Sequence, residues 1–153
     1  MKKNPVDIEK FVFYLLNIKD YTEKELYTKL IDNYDEKDVN NIISKLKNTN
    51  LINDKKYAEN FVLGKLESGK YSINYIYNKL LEKGIKNDII DEVFKEHNIN
   101  NETDYEIAKK IIDKKFLRYK TLNKEQISKK IARFLSSKSF SEDIIEKILY
   151  EFN

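Results

Sequence analysis

The chain has 153 residues, 41% of them hydrophobic and 36% charged, a formal net charge of +3 and no cysteine. That is enough apolar material for a core, and the lack of thiols excludes a disulfide framework, thiolate nucleophiles and cysteine-ligated zinc. Three glycines and one proline supply little of the positive-φ turn chemistry that many-stranded sheets need, so an all-α fold is expected.

The longest compact apolar run, Phe11 to Leu16, is far short of the roughly 20 residues of a membrane span. No small-residue cleavage site follows Met1-Lys2-Lys3. A cytoplasmic protein with no membrane partner is the expectation. Lysine, asparagine, isoleucine and tyrosine are all abundant, as an AT-rich coding sequence would supply. Total lysine is therefore weak evidence of nucleic-acid binding, and its distribution is better evidence.

The predicted helices in chain order are 6–19, 22–33 and 36–48, then 54–68, 72–83 and 87–97, and finally 103–119, 123–138 and 141–152. The first helix carries Ile8, Phe11 and Val12 at i, i+3, i+4 spacing. The same trio returns 50 residues on as Ala58, Phe61 and Val62, and again as Ala108, Ile111 and Ile112. The second helix opens at Tyr21-Thr22 with Leu26 and Leu30 on its apolar face. Its counterparts are Tyr71-Ser72 with Ile76 and Leu80, and Leu122-Asn123 with Ile127 and Ile131. Thr22, Ser72 and Asn123 are good N-caps, and Glu25 and Gln126 stand where a capping box places its acid or amide.

The third helix follows suit, with Val39, Ile42, Ile43 and Leu46 answered by Ile89, Ile90 and Val93, and then by Ile144, Ile145 and Ile148. The last set is offset by four residues inserted around Phe134-Leu135-Ser136-Ser137. That is about one helical turn, which lengthens a helix without rotating its apolar face. A fixed period of this length is the mark of a helical repeat. Three tandem three-helix repeats are expected, at 1–50, 51–101 and 102–153. Their joints fall at Asn48-Thr49-Asn50 and His97-Asn98-Ile99-Asn100-Asn101, and short joints predict an elongated, curved body.

The middle segment carries Leu51, Asp54, Tyr57, Ala58, Phe61, Val62, Gly69, Ile76, Leu80, Lys83, Gly84 and Ile85, and in these positions it resembles the central signature of the RecX family of recombinase regulators. The first repeat is similar to that family's opening pattern through Leu15-Leu16, Tyr21-Thr22, Glu25-Leu26, Lys29-Leu30 and Leu46. The last is similar through Arg133-Phe134-Leu135, Phe140-Ser141 and Ile144. There are departures. Ile18-Lys19 stands where the family favours Arg-Arg, Asn53 replaces an acid beside Asp54, and Asn33-Tyr34 and Lys138-Ser139 stand where Lys/Arg-Gly is favoured. The lost glycines put the turn geometry in question, and the lost arginines the grip on an acidic or phosphate-bearing partner.

The resemblance implies a protein that lies in the groove of a RecA recombinase filament on single-stranded DNA. Its usual effect there is negative, suppressing the filament's ATPase, strand-exchange and DNA-repair and SOS activities. The RecA filament and single-stranded DNA are the implied partners. No enzymatic activity and no cofactor are implied, and a monomer is expected.

Between Lys109 and Lys138 lie eleven lysines and arginines against two acids, Asp113 and Glu125. That surplus of nine within a chain of +3 leaves the rest acidic by six. Codon bias would enrich lysine everywhere but would not remove acids from one stretch. Lys110, Lys114 and Arg118 are spaced by four on one helix, and Lys129 and Arg133 on the next. With Lys115, Lys120, Lys130 and Lys138 they form a candidate stripe for filament or DNA contact. Runs of this kind are ordinarily solvated faces, and the missing acids favour the functional reading. Lys79 and Lys83, beside Gly84, are a secondary candidate, although last-turn lysines also complement the helix dipole. A different class of function uses the same stripe: a stand-alone nucleic-acid-binding module whose third repeat grips phosphates with no protein partner.

The remaining signals are bland. His97 is the only histidine, with no cysteine or second histidine to partner it, and metal or catalytic use would need acids converging from elsewhere. Asp35-Glu36, Asp91-Glu92 and Glu142-Asp143 read as first-turn charges. Gly64, Gly69 and Gly84 fit neither a P-loop nor a dinucleotide fingerprint. Phe11, Tyr14, Phe61 and Phe116 have core spacing and are expected to pack rather than to stack on bases.

Overall fold

Thr22, Ser72 and Asn123 begin their helices as the spacing predicts. The Glu25 amide donates to Thr22 Oγ1 at 3.1 Å while the Thr22 amide donates to Glu25 Oε2 at 3.2 Å. Gln126 and Asn123 exchange the same pair at 2.9 and 3.2 Å, and the Tyr75 amide donates to Ser72 Oγ at 3.1 Å. Each bond satisfies an amide that the first helical turn leaves without a partner.

The computed structural model describes residues 6–116 and 121–152. Among them the chain forms nine helices and no strand: α1 (Ile8–Ile18), α2 (Glu23–Ile31), α3 (Glu36–Asn48), α4 (Asp54–Ser68), α5 (Ile73–Glu82), α6 (Asn87–Glu96), α7 (Asn101–Phe116), α8 (Lys124–Ser137) and α9 (Glu142–Phe152). Every helix starts within two residues of its expected position.

Four helices end in one way. The amide of Leu51 returns to the Leu46 carbonyl at 2.9 Å, Ile85 to Leu80 at 3.0 Å, Ile99 to Phe94 at 2.8 Å and Phe140 to Leu135 at 3.2 Å. The residue just before each donor has positive φ: Asn50, Gly84, Asn98 and Ser139. This is the Schellman ending, in which a left-handed residue lets the chain turn back on the last carbonyls. Ser139, at φ 65°, therefore keeps after α8 the turn that Gly84 makes after α5. At Asn33-Tyr34 the chain leaves α2 differently: Tyr34 and Asn33 both donate to the Leu30 carbonyl, and neither has positive φ.

Packing divides the chain into two units, one comprising the residues up to Asn60 with Leu80–Ile90, the other Phe61–Lys79 with the residues from Asp91 onward. Each of α4, α5 and α6 contributes residues to both. In the first unit, α1, α2 and α3 close on Val12, Leu15, Leu26, Leu30, Val39 and Leu46. Burying each such side chain stabilises the fold by about 1.5–3 kcal/mol relative to exposure. In the second unit, α7, α8 and α9 close on Ala108, Ile112, Phe116, Ile131, Leu135 and Ile148. There the Tyr105 hydroxyl donates to Glu151, and the Lys147 ammonium lies over the Tyr105 ring at 3.7 Å, which ties α7 to α9.

Of the aromatics expected to pack, Phe116 is buried and Phe11 and Phe61 are half-buried. Tyr14 is not packed: it is 61% exposed. The apolar arc of α1 is wider than the face it buries, and the structure turns Val12 and Leu15 inward while Tyr14 and Ile18 remain outside.

Candidate functional site

Lys110, Lys114 and Lys115 on α7 and Lys129, Lys130 and Arg133 on α8 are all exposed, as is Lys138 just after α8. The reason is local. Ala108, Ile112 and Phe116 occupy the buried stripe of α7, and Ile127, Ile131 and Leu135 that of α8, which leaves the basic positions on the outer arcs. Arg118 and Lys120 lie outside the described residues. Among the described residues no carboxylate pairs with Lys110, Lys114, Lys130 or Arg133. Lys129 meets Glu125 at 2.8 Å, an exposed i, i+4 pair of small energetic value.

Phe134 is where the two helices bring cations together. The Lys115 ammonium stands 4.0 Å from its ring centroid and that of Lys138 5.9 Å, while Phe116 meets the same ring edge-on at 6.1 Å. An aromatic face attracts ammonium groups without neutralising them. Phe134 thus holds Lys115 and Lys138 at one place on the surface.

The secondary candidates divide. Lys83 is committed to internal bonding. Its ammonium meets Glu25 at 2.9 Å with both side chains mostly covered, and it lies 5.7 Å from the Tyr57 ring centroid. Burial pushes the Glu25 carboxyl up, but the bonds from Lys83 and the Thr22 amide outweigh it and hold the group below its ordinary value. The bond from Glu25 in turn raises Lys83 above the usual lysine value. Lys79 is half-buried, its ammonium 5.7 Å from the Tyr75 ring centroid.

A feature that the sequence pattern did not reveal recurs in both units. In the first, Thr22 Oγ1 donates to the Lys83 carbonyl at 2.6 Å and the Glu23 amide donates to Asp54 Oδ1 at 2.9 Å. In the second, Ser72 Oγ donates to the Lys138 carbonyl at 2.8 Å and the Ile73 amide donates to Asp104 Oδ1 at 2.8 Å. Each cap hydroxyl thus accepts within its own helix and donates to a distant helix end. An aspartate takes the next free amide. Burial pushes both carboxyls above the ordinary aspartate value, and the amide bonds only partly offset it. The available signal was that Asp54 and Asp104 stand 50 residues apart, in the register of the repeat.

These observations define an all-helical protein in which one arrangement of cap, carbonyl and aspartate is used again in each unit. The family models describing the second and the third three-helix domain of RecX match residues 53–93 and 102–149. The regulatory protein RecX of Haemophilus influenzae (strain ATCC 51907 / DSM 11121 / KW20 / Rd) is 30% identical over 135 residues, which cover 87% of this chain and 86% of that protein. The chain belongs to the RecX family.

The regulatory protein RecX of Clostridioides difficile (strain 630) is 34% identical over 88% of this chain and 63% of that protein. That of Lactococcus lactis subsp. cremoris (strain SK11) is 36% identical over 86% of this chain. The chain thus spans between 49% and 63% of the length of these two relatives. The crystal structure of RecX from Lactobacillus salivarius superposes with a TM-score of 0.80 at 29% identity, covering 94% of this chain and 92% of that one. No helix among the described residues is long and apolar enough to cross a membrane.

Proposed function

We propose that this chain regulates the RecA recombinase, in keeping with relatives that are named regulatory proteins, and that it does so by binding in the groove of the RecA filament on single-stranded DNA. The effect is suppression of the filament's ATPase, strand-exchange and DNA-repair and SOS activities. The observation that carries this reading is that Lys110, Lys114, Lys130 and Arg133 on α7 and α8 are exposed and, among the described residues, have no carboxylate partner, in a chain of the RecX family. Such a surface suits an anionic groove. The protein acts by binding in the cytoplasm, with no reaction of its own, as a monomer of three repeats at 1–50, 51–101 and 102–153.

The test is DNA-dependent ATP hydrolysis by RecA on single-stranded DNA, with this protein titrated in after filaments have formed. A fall at substoichiometric amounts is expected from a ligand that caps or bridges subunits. An unchanged rate, together with tight and salt-sensitive binding to bare DNA, would replace this reading with a stand-alone nucleic-acid-binding module.

A further inference from the structure

The first unit holds a second cationic feature, separate from the stripe on α7 and α8. A cleft of about 310 Å³ opens beside the Thr22 cap, and Lys19, Lys24, Lys29 and Lys83 line it together with Tyr21 and Glu25. Lys83 and Glu25 neutralise one another at 2.9 Å. Among the described residues, Lys19, Lys24 and Lys29 pair with no carboxylate. Glu82 also lines the cleft, so the local balance is a surplus of two positive charges.

Two features show how the fold places these lysines. A Cβ at Gly84 would overlap Lys24 Cδ and stand 2.5 Å from Lys24 Cβ, so the aliphatic stem of Lys24 lies where any other residue would put its side chain. The Lys19 ammonium rests 4.4 Å from the centroid of the Tyr21 ring. Tyr21 is itself buried. A missing side chain positions one lysine and an aromatic face the other.

We infer that this cleft is a binding site for a short acidic peptide segment of a partner protein, seating two or three Asp or Glu side chains against Lys19, Lys24 and Lys29. Nucleic acid fits less well, for two reasons. The one ring in the lining is buried and carries a lysine, so it offers no face for a base to stack on. The unit is also electrically neutral as a whole, with thirteen lysines and thirteen acids in residues 1–60 and 80–90. A long polyanion would meet those acids on leaving the cleft, whereas a short acidic segment would meet only the local surplus. Lysines are point charges that suit carboxylates in varied poses, without the bidentate demand of arginine. The site lies outside the stripe and does not depend on how the stripe is used.

The experiment uses the full chain, labelled with ¹⁵N, titrated separately with a glutamate octapeptide and with an oligo-dT of similar charge. The peptide is expected to shift the amides of residues 19–29 and 81–84. Read from the shifts of those cleft amides, the variant K19Q/K24Q/K29Q should weaken peptide binding by about five-fold or more, and K110Q/K114Q/K130Q/R133Q should weaken it there by less than about two-fold. The inference is overturned if the peptide shifts only α7 and α8, or shifts nothing up to millimolar concentration. It is also overturned if the oligo-dT occupies the cleft more tightly than the peptide and the triple variant abolishes that binding, which would make the cleft a phosphate site. Circular dichroism of both variants checks that the helices are retained.

Discussion

Ser72 donates its hydroxyl to the carbonyl of Lys138 at 2.8 Å and in the same geometry accepts the amide of Tyr75 at 3.1 Å. Thr22 repeats the arrangement with Lys83 and Glu25 at 2.6 and 3.1 Å. Both side chains are wholly buried, so neither bond is replaced by water when the hydroxyl is removed. Thr22→Ala and Ser72→Ala should each lower the unfolding free energy by about 2 kcal/mol, being the loss of a cap together with a carbonyl left without its donor. Thr22→Ser keeps both bonds and should lose under about 1 kcal/mol. Urea denaturation followed by circular dichroism measures all three, and equal losses for Thr22→Ser and Thr22→Ala would remove the hydroxyl from the account.

The aspartates that accept the first-turn amides, Asp54 and Asp104, make a separate prediction about pH. Burial raises Asp104 above its ordinary value, so the native state holds that proton to a higher pH than the unfolded chain does. Its contribution is then most favourable below the ordinary aspartate value and declines as pH rises through the raised one. Asp104→Asn keeps an oxygen for the Ile73 amide and cannot ionise. The stability of the native sequence relative to Asp104→Asn should therefore increase as pH falls from 7 toward about 4. Asp104→Ala should cost about 1–3 kcal/mol at any pH in that range, since it strands a buried amide. Denaturant titrations across the range decide the matter, and a pH-independent difference between native sequence and Asp104→Asn would show that the carboxyl is not perturbed.

What could be read in the sequence, and what could not, follows from the range of the interactions. The helices and the capping pairs Thr22/Glu25 and Asn123/Gln126 depend on residues three or four apart, and spacing reveals these directly. Thr22 to Lys83 and Ser72 to Lys138 span 61 and 66 residues, and no local pattern announces a bond to a main-chain carbonyl. The basic positions on α7 and α8 were legible as exposed because the buried stripe of each helix was. Lys83 reads in the sequence as a surface cation because its partner, Glu25, lies 58 residues away. Tyr14 misleads for the opposite reason: helical spacing marks an apolar arc, and only packing decides how much of it is covered.

Gly84 meets two demands, positive φ and the close approach of Lys24. Its φ of 86° is one that side chains rarely adopt, and an added methyl would meet Lys24 near the start of its side chain, where there is little freedom to yield. Gly84→Ala should destabilise the protein by more than about 1 kcal/mol. Ser139→Gly, at the matching turn after α8, relieves a positive φ of 65° and should be neutral or slightly stabilising. Thermal melts of both variants test the pair, and a tolerated alanine at 84 would mean that Lys24 and the turn both relax.

Leu80 on α5 and Phe61 on α4 test the packing of those two helices. Leu80 is wholly buried and Phe61 only partly, so Leu80→Ala should cost about 2–5 kcal/mol and Phe61→Ala less. A larger loss at Phe61, measured by the same urea denaturation, would show that exposure of the side chain understates its packing.

The cations of α7 and α8 should declare themselves through salt. If Lys110, Lys114, Lys130 and Arg133 face phosphates, neutralising them together as Lys110→Gln, Lys114→Gln, Lys130→Gln and Arg133→Gln removes the counterion release that each would cause. The slope of log affinity against log salt for the filament-bound protein should then flatten by about 0.7 for each phosphate no longer neutralised, the value for single-stranded DNA. Reversing charge at Lys114, Arg118, Lys130 and Arg133 should weaken binding further while leaving helicity intact, because the described members of the set are exposed and make no structural pair. Lys129→Gln should do little, since its exposed pair with Glu125 already moderates its field. Fluorescence anisotropy on preformed filaments over a salt series supplies the slope. An unchanged slope in the fourfold variant would mean that these side chains meet solvent in the complex, and the surface that grips the filament would then have to be sought in the first unit.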